Sequence, residues 1–144
     1  IYSHNLLKER NCLALKLYES PLSLAIPRTH HLAAKKIVNI EDLKDEKILI
    51  LKSGYLEDID HLRIDLLSKN SSIILEEIPF FNIKAFNQCV NENKLMIVIP
   101  EWKNIHPMLK IIPVKWNYTI PFGIMYSKQP SNDVQYFLNK IKEL

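Results

Sequence analysis

Two glycines, Gly54 and Gly123, are all that 144 residues contain, and that scarcity excludes whole classes of function. Neither GxGxxG nor a P-loop can be written, so the glycine-rich phosphate cradles are ruled out. Cysteine is equally sparse. Cys12 and Cys89 lie far apart and outside any CxxC pair, which reads as two free thiols of a cytosolic protein. No apolar run approaches the roughly 18 residues that span a bilayer, and no signal peptide is visible. Concentrated positive charge is missing too. The net charge is +3, with lysines spread from Lys8 to Lys142. The tightest basic group (Arg28, His30, His31, Lys35, Lys36) reads as a solvated loop rather than a nucleic-acid surface.

The reactive side chains are not organised for chemistry. No HxxxH or HExxH spacing exists, and adjacent histidines in a strand face opposite ways, so His30 and His31 predict no metal site. Cys89 with His61 and a carboxylate is a nucleophilic set on paper. Cys89, however, shares a helical face with Phe86 and Val90, where cysteine is usually a small buried hydrophobe. With no GxSxG elbow, the chain reads as a non-enzyme without a cofactor.

What is present is an alternation of strands and helices in a chain long enough for one modest core. Leu13, Leu15 and Leu17 alternate with Ala14, Lys16 and Tyr18, predicting a half-buried strand. Glu19-Ser20-Pro21 predicts a turn into a second strand, Leu22–Pro27, paired with the first. Asn39 is placed to cap a short turn over 40–44, and Lys47–Leu51 reads as a strand buried on both faces. A helix follows, with Ile59, Leu62, Leu66 and Leu67 near helical spacing and Glu57, Asp58 and Asp60 in its first turn. Next come a strand over 73–78, a helix capped by Asn82 and a strand over 95–100. Strands over 110–114 and 122–126 lead to a last helix capped by Ser131, with Val134, Phe137, Leu138 and Ile141 on one face. Strand–helix–strand–helix–strand over 47–100 implies right-handed crossovers and a mainly parallel sheet flanked by helices, an α/β fold. The first strands and the final strand–helix unit have no partner sheet in this reading.

The order of several segments resembles LysR-type transcriptional regulators in their effector-binding domain. Pro27, His30, Leu32 and Ala33 match a PxxHPLA element, with His31 where proline is usual. Ile40, Leu43 and the 47–51 strand match the opening of the second lobe, and Gly54 falls in the loop after it. The 95–100 strand with Glu101 is similar to a GxGxxLLPE strand whose two glycine positions are here Asn93 and Leu95. Ile105-His106-Pro107, Pro113–Trp116 and Pro121-Phe122-Gly123 with Tyr126 are similar to the segment returning to the first lobe.

The resemblance implies a Rossmann-like lobe of a two-lobed, type 2 periplasmic-binding-protein-like domain. Residues 1–27 would trail from lobe one, 28–115 form lobe two, and 116–144 return to lobe one. It implies a cytoplasmic sensor of a small molecule, homo-oligomeric when full length, reaching DNA only through a winged helix-turn-helix domain absent from this chain. The chain starts at Ile1 rather than methionine, which reads as a processed product or an excised segment. A lobe of a transport receptor is the alternative.

In two-lobed sensors the ligand sits beyond the carboxyl ends of the strands, where helix N-termini point. That singles out Ser53, Gly54 and Tyr55 after one strand, Phe80, Phe81 and Asn82 after the next, and Pro100 at the end of the third. Backbone N–H groups and the Ser53 hydroxyl favour an anionic effector, with aromatic walls from the phenylalanines. The same residues have plainer readings: Ser53-Gly54 shaping a turn, Phe80-Phe81 as core.

Overall fold

The structure is a computed structural model that describes residues 1–69 and 72–144. Its elements in chain order are α1 (His4–Arg10), β1 (Cys12–Pro21), β2 (Ser23–Pro27), β3 (Lys47–Leu51), α2 (Glu57–Lys69), β4 (Ile74–Ile78), α3 (Ile83–Asn91), β5 (Leu95–Val98), β6 (Leu109–Pro113), β7 (Thr119–Ser127) and α4 (Asn132–Lys142). Three single 3-10 turns, His31–Ala34, Ile40–Leu43 and Pro100–Trp102, punctuate the loops.

Five strands form one sheet in the order β4-β3-β5-β2-β6. β3 pairs in parallel with β4 and β5, joined by crossovers through α2 and α3. β2 runs antiparallel to β5 and β6. The sheet is thus mixed rather than mainly parallel: two pairings are parallel and two antiparallel, with β5 at the changeover. Successive side chains alternate between the faces, and the inner strands β3, β5 and β2 are buried on both, while the edge strands β4 and β6 are partly exposed. Ile48, Ile50, Leu95 and Ile97 face α2 through Ile59, Leu62 and Leu66. Leu49, Met96 and Val98 face α3 through Ala85, Phe86 and Cys89. Fully burying each such side chain contributes about 1.5–3 kcal/mol, so the two apolar layers hold the unit together.

The expected β1–β2 pairing is overturned. β1 pairs antiparallel with β7 in a separate two-stranded ladder, from Cys12 opposite Ser127 to Pro21 opposite Thr119. Ser20-Pro21 makes no reversal. Proline disfavours helical dihedrals in the residue before it, and with no glycine nearby the chain stays extended into β2. The first strands and the last strand therefore do have partners: β2 lies inside the main sheet, and β1 and β7 pair with each other.

The predicted half-buried face of β1 is also corrected, since Leu13 and Leu17 are exposed. A bulge between Lys16 and Tyr18 leaves Leu17 opposite no residue and resets the faces beyond it. α4 is capped by Ser131 as expected, its Oγ accepting from Val134 N–H, yet only Leu138 of its apolar face is buried.

Asn93, in the first of the two family glycine positions, has φ 51°. The left-handed conformation survives, because asparagine tolerates it better than other side-chain-bearing residues.

Candidate functional site

Because β3 pairs in parallel with both β4 and β5, their carboxyl ends open on one edge of the sheet. Tyr55 meets Phe80 there and Phe81 meets the turn begun by Pro100, while Ser53 is exposed in the turn after β3. Tyr55, after β3, has its ring edge-on to Phe80, after β4, with centroids 6.4 Å apart. Phe81 meets Trp102 edge-on at 4.8 Å, so the second group touches the 3-10 turn that Pro100 begins. Phe80 is exposed, while Phe81 and Pro100 are half-buried. Asn82 Oδ1 accepts from Ala85 N–H and starts α3 as anticipated. Gly54 has φ 95°, a left-handed conformation only glycine adopts cheaply, with open space where a Cβ would stand.

The electrostatics of this edge are lopsided. Gly54 N–H donates to Asp60 Oδ2 at 3.0 Å, so the chain's own carboxylate holds the amide expected to face an anion. Glu57 and Asp58 share that first turn of α2. Burial, then Glu19 and Glu57, push the Asp58 carboxyl above its ordinary range. Positive charge comes instead from Lys52, whose ammonium sits 4.9 Å from the Tyr55 ring centroid.

Several contributors escaped sequence reasoning. Ser3, buried, caps α1 by accepting from Leu6 N–H and donates its hydroxyl to Tyr55 O at 2.8 Å. Asn5 N–H donates to Glu57 Oε1 at 3.0 Å. Ile1 packs on the core and lines a small apolar gap with Ile59, Phe81, Ile99 and Trp102. The serine before His4–Arg10 was the available signal, a cap residue type at a helix start. Without apolar periodicity in those seven residues it stood alone.

His30 and His31 correct another expectation. They lie at a 3-10 turn rather than in a strand, and their rings stack at 4.4 Å. Both Nε2 atoms meet Glu46, His30 at 3.0 Å and His31 at 2.5 Å. The three ligand atoms lie within 4.8 Å of one another. His30 Nδ1 accepts from Leu32 N–H, so its proton sits on Nε2 and is donated to Glu46. The trio works as a clasp between the loop and the residue that leads into β3.

Cys89 is fully buried, and burial pushes its thiol up to about 12. Its Sγ donates to Lys94 O at 3.0 Å. Both cysteines are free. Under native conditions iodoacetamide is expected to modify half-buried Cys12 and leave Cys89 unmodified, read by peptide mass mapping. Rapid labelling at Cys89 would contradict this placement. Asp58, His61, Asp65 and Tyr118 line a surface groove of about 400 Å³ along α2. Among the described residues no helix is long and apolar enough to cross a membrane.

No protein-family model matches the chain, and no curated protein matches its sequence. Solved structures do. The regulatory domain of CcmR from Synechocystis PCC6803, in complex with 2-PG, superposes with a TM-score of 0.66 at 17% identity, covering 90% of this chain and 65% of that one. The effector-binding domain of QuiR, in complex with shikimate, gives 0.64 at 16%, covering 92% and 65%. CbnR, a LysR family transcriptional regulator, gives 0.65 at 14%, covering 93% and 48%. The chain thus spans less than two thirds of each. It has the fold of the effector-binding domains of LysR-type regulators, a type 2 periplasmic-binding-protein-like fold.

Proposed function

We propose that this chain is a small-molecule-sensing unit of a LysR-type transcriptional regulator, acting by binding and not by catalysis. The observation that carries the reading is the convergence of Tyr55 with Phe80, and of Phe81 with the Pro100–Trp102 turn, at the carboxyl edge of a sheet with this fold. Ser53, Gly54, Tyr55, Phe80, Phe81, Asn82 and Pro100 form the wall on which the effector rests. An anionic group on the effector is drawn toward Lys52 and the start of α3, away from the carboxylates of α2. The names of the complexed neighbours, with 2-PG and shikimate, support a small polar molecule of this kind.

The β1–β7 ladder and α4 belong to the first lobe and the five-stranded sheet to the second. The expected boundary after residue 27 moves back to the β1–β2 junction, because β2 (Ser23–Pro27) pairs inside that sheet. Leu13, Leu17, Met125 and Phe137 are exposed on the ladder and α4, which supports their being covered by the rest of that lobe. Effector bound between lobes favours one inter-lobe angle, shifts a pre-existing equilibrium and alters the geometry of a homo-oligomer. DNA is reached through a separate domain, in the cytoplasm.

The test is a thermal-shift panel of small organic acids, with 2-PG and shikimate among the probes, followed by calorimetry of any hit. Gly54→Val forces a branched side chain into a left-handed backbone and reshapes the loop. It is expected to weaken the hit about tenfold, a cost of about 1.4 kcal/mol. Unchanged affinity would remove the 53–55 loop from the site.

A further inference from the structure

We propose that Glu101 is a positioning residue that couples the strand-end site to the orientation of the β1–β7 ladder; the identity of the ligand side rests on the effector reading, the coupling itself does not. The three residues of one 3-10 turn report to three places. Pro100 stands at the carboxyl end of β5. Trp102 turns inward, edge-on to Phe81 at 4.8 Å and to Phe86 of α3 at 6.2 Å. Glu101 turns the other way and takes two hydroxyls: Ser20 donates to Oε2 at 2.7 Å, with Oε1 also within reach at 3.0 Å, and Tyr18 donates to Oε1 at 2.9 Å.

Both hydroxyls belong to β1, and the bulge at Leu17 sets which face carries them. Beyond it Tyr18 and Ser20, two residues apart in an extended strand, share one face. Tyr18 is fixed by stacking on Phe122 of β7 at 5.1 Å. Ser20 is fully buried, and its hydroxyl would be orphaned without the carboxylate. Next to this contact the chain passes from ladder to sheet, where Leu22 N–H donates to Tyr118 O and Trp116 Nε1 donates to Leu22 O at 2.7 Å. A displacement of Phe81 or Trp102 therefore reaches the crossover through a rigid three-residue turn and a charged two-hydroxyl contact, the stronger class of hydrogen bond.

Burial pushes the Glu101 carboxyl up. The hydrogen bonds from Ser20, from its own backbone N–H and from Tyr18 outweigh that and hold it below the usual carboxylate range. It is therefore ionised at neutral pH.

The test is amide hydrogen exchange by NMR on the whole chain without ligand. Glu101→Gln and Ser20→Ala are each expected to speed exchange at Leu22 and along β1 about tenfold, the equivalent of one charged hydrogen bond, with the β3 amides unchanged. Ser20→Thr, which keeps the hydroxyl, restores protection. Phe81→Ala speeds exchange at Leu22 in the wild-type background and adds nothing in Glu101→Gln. Equal acceleration in ladder and sheet, no change at Leu22, or additive effects in the double variant would each overturn the proposal. Should Ser20→Ala not fold, Glu101→Gln, altering an exposed carboxylate, decides alone.

Discussion

Gly123→Ala is expected to detach the β1–β7 ladder and lower stability by about 3 kcal/mol, near the upper end for an overpacked site. A Cβ built at Gly123 stands 2.2 Å from Leu15 O and 3.1 Å from Lys16 Cα. These are backbone atoms of the paired strand, which cannot swing aside as a side chain does. The glycine faces the bulge, where Lys16 is opposite Gly123 and the register then shifts so that Tyr18 is opposite Phe122. Adding one methyl separates the strands at that point and unseats Tyr18 and Ser20. Calorimetry should record a fall of about 10 °C in Tm, and exchange protection should vanish along β1 before β3. The contrast is Gly54, where nothing lies within 4 Å of a built Cβ and the cost is backbone strain alone.

Phe86→Ala is expected to cost about 3–5 kcal/mol, the usual range for removing a buried aromatic ring. Phe86 is 4% exposed and packs among Ala25, Leu49, Met96 and Val98 on the α3 face of the sheet. The backbone around the cavity cannot collapse into it, since β3 and β5 are pinned on their other face by α2. Trp102 loses one of its two edge-on partners, so its fluorescence should shift along with the urea midpoint. A midpoint change below that of an exposed α3 substitution such as Lys84→Ala would show that α3 is not anchored through this ring.

The expectations that held are those whose signals are local. Asn82 and Ser131 announced their helices as caps, and the apolar run Lys47–Leu51 announced a strand covered on both faces. Partner choice was not local. Nothing in Leu13–Tyr18 says that its ladder partner lies about a hundred residues downstream, and Ser20-Pro21 looks like a turn until proline's effect on the preceding residue is considered.

The candidate site was legible as strand ends and missed as side-chain chemistry. Asp60 taking the Gly54 N–H, Ser3 reaching Tyr55, and Glu101 holding Tyr18 and Ser20 all join residues distant in sequence or folded back by a turn. His30 and His31 misled because adjacency implies opposite faces only in a strand, and their segment is a 3-10 turn.

The most direct test of the sensing reading is an NMR titration of the isotopically labelled chain with a small organic acid selected by thermal shift. The account predicts the largest amide shifts at Ser53–Tyr55, Phe80–Asn82 and Glu101–Trp102, saturating together. Saturable shifts confined to the groove of Asp58, His61, Asp65 and Tyr118, with the strand ends silent, would contradict it.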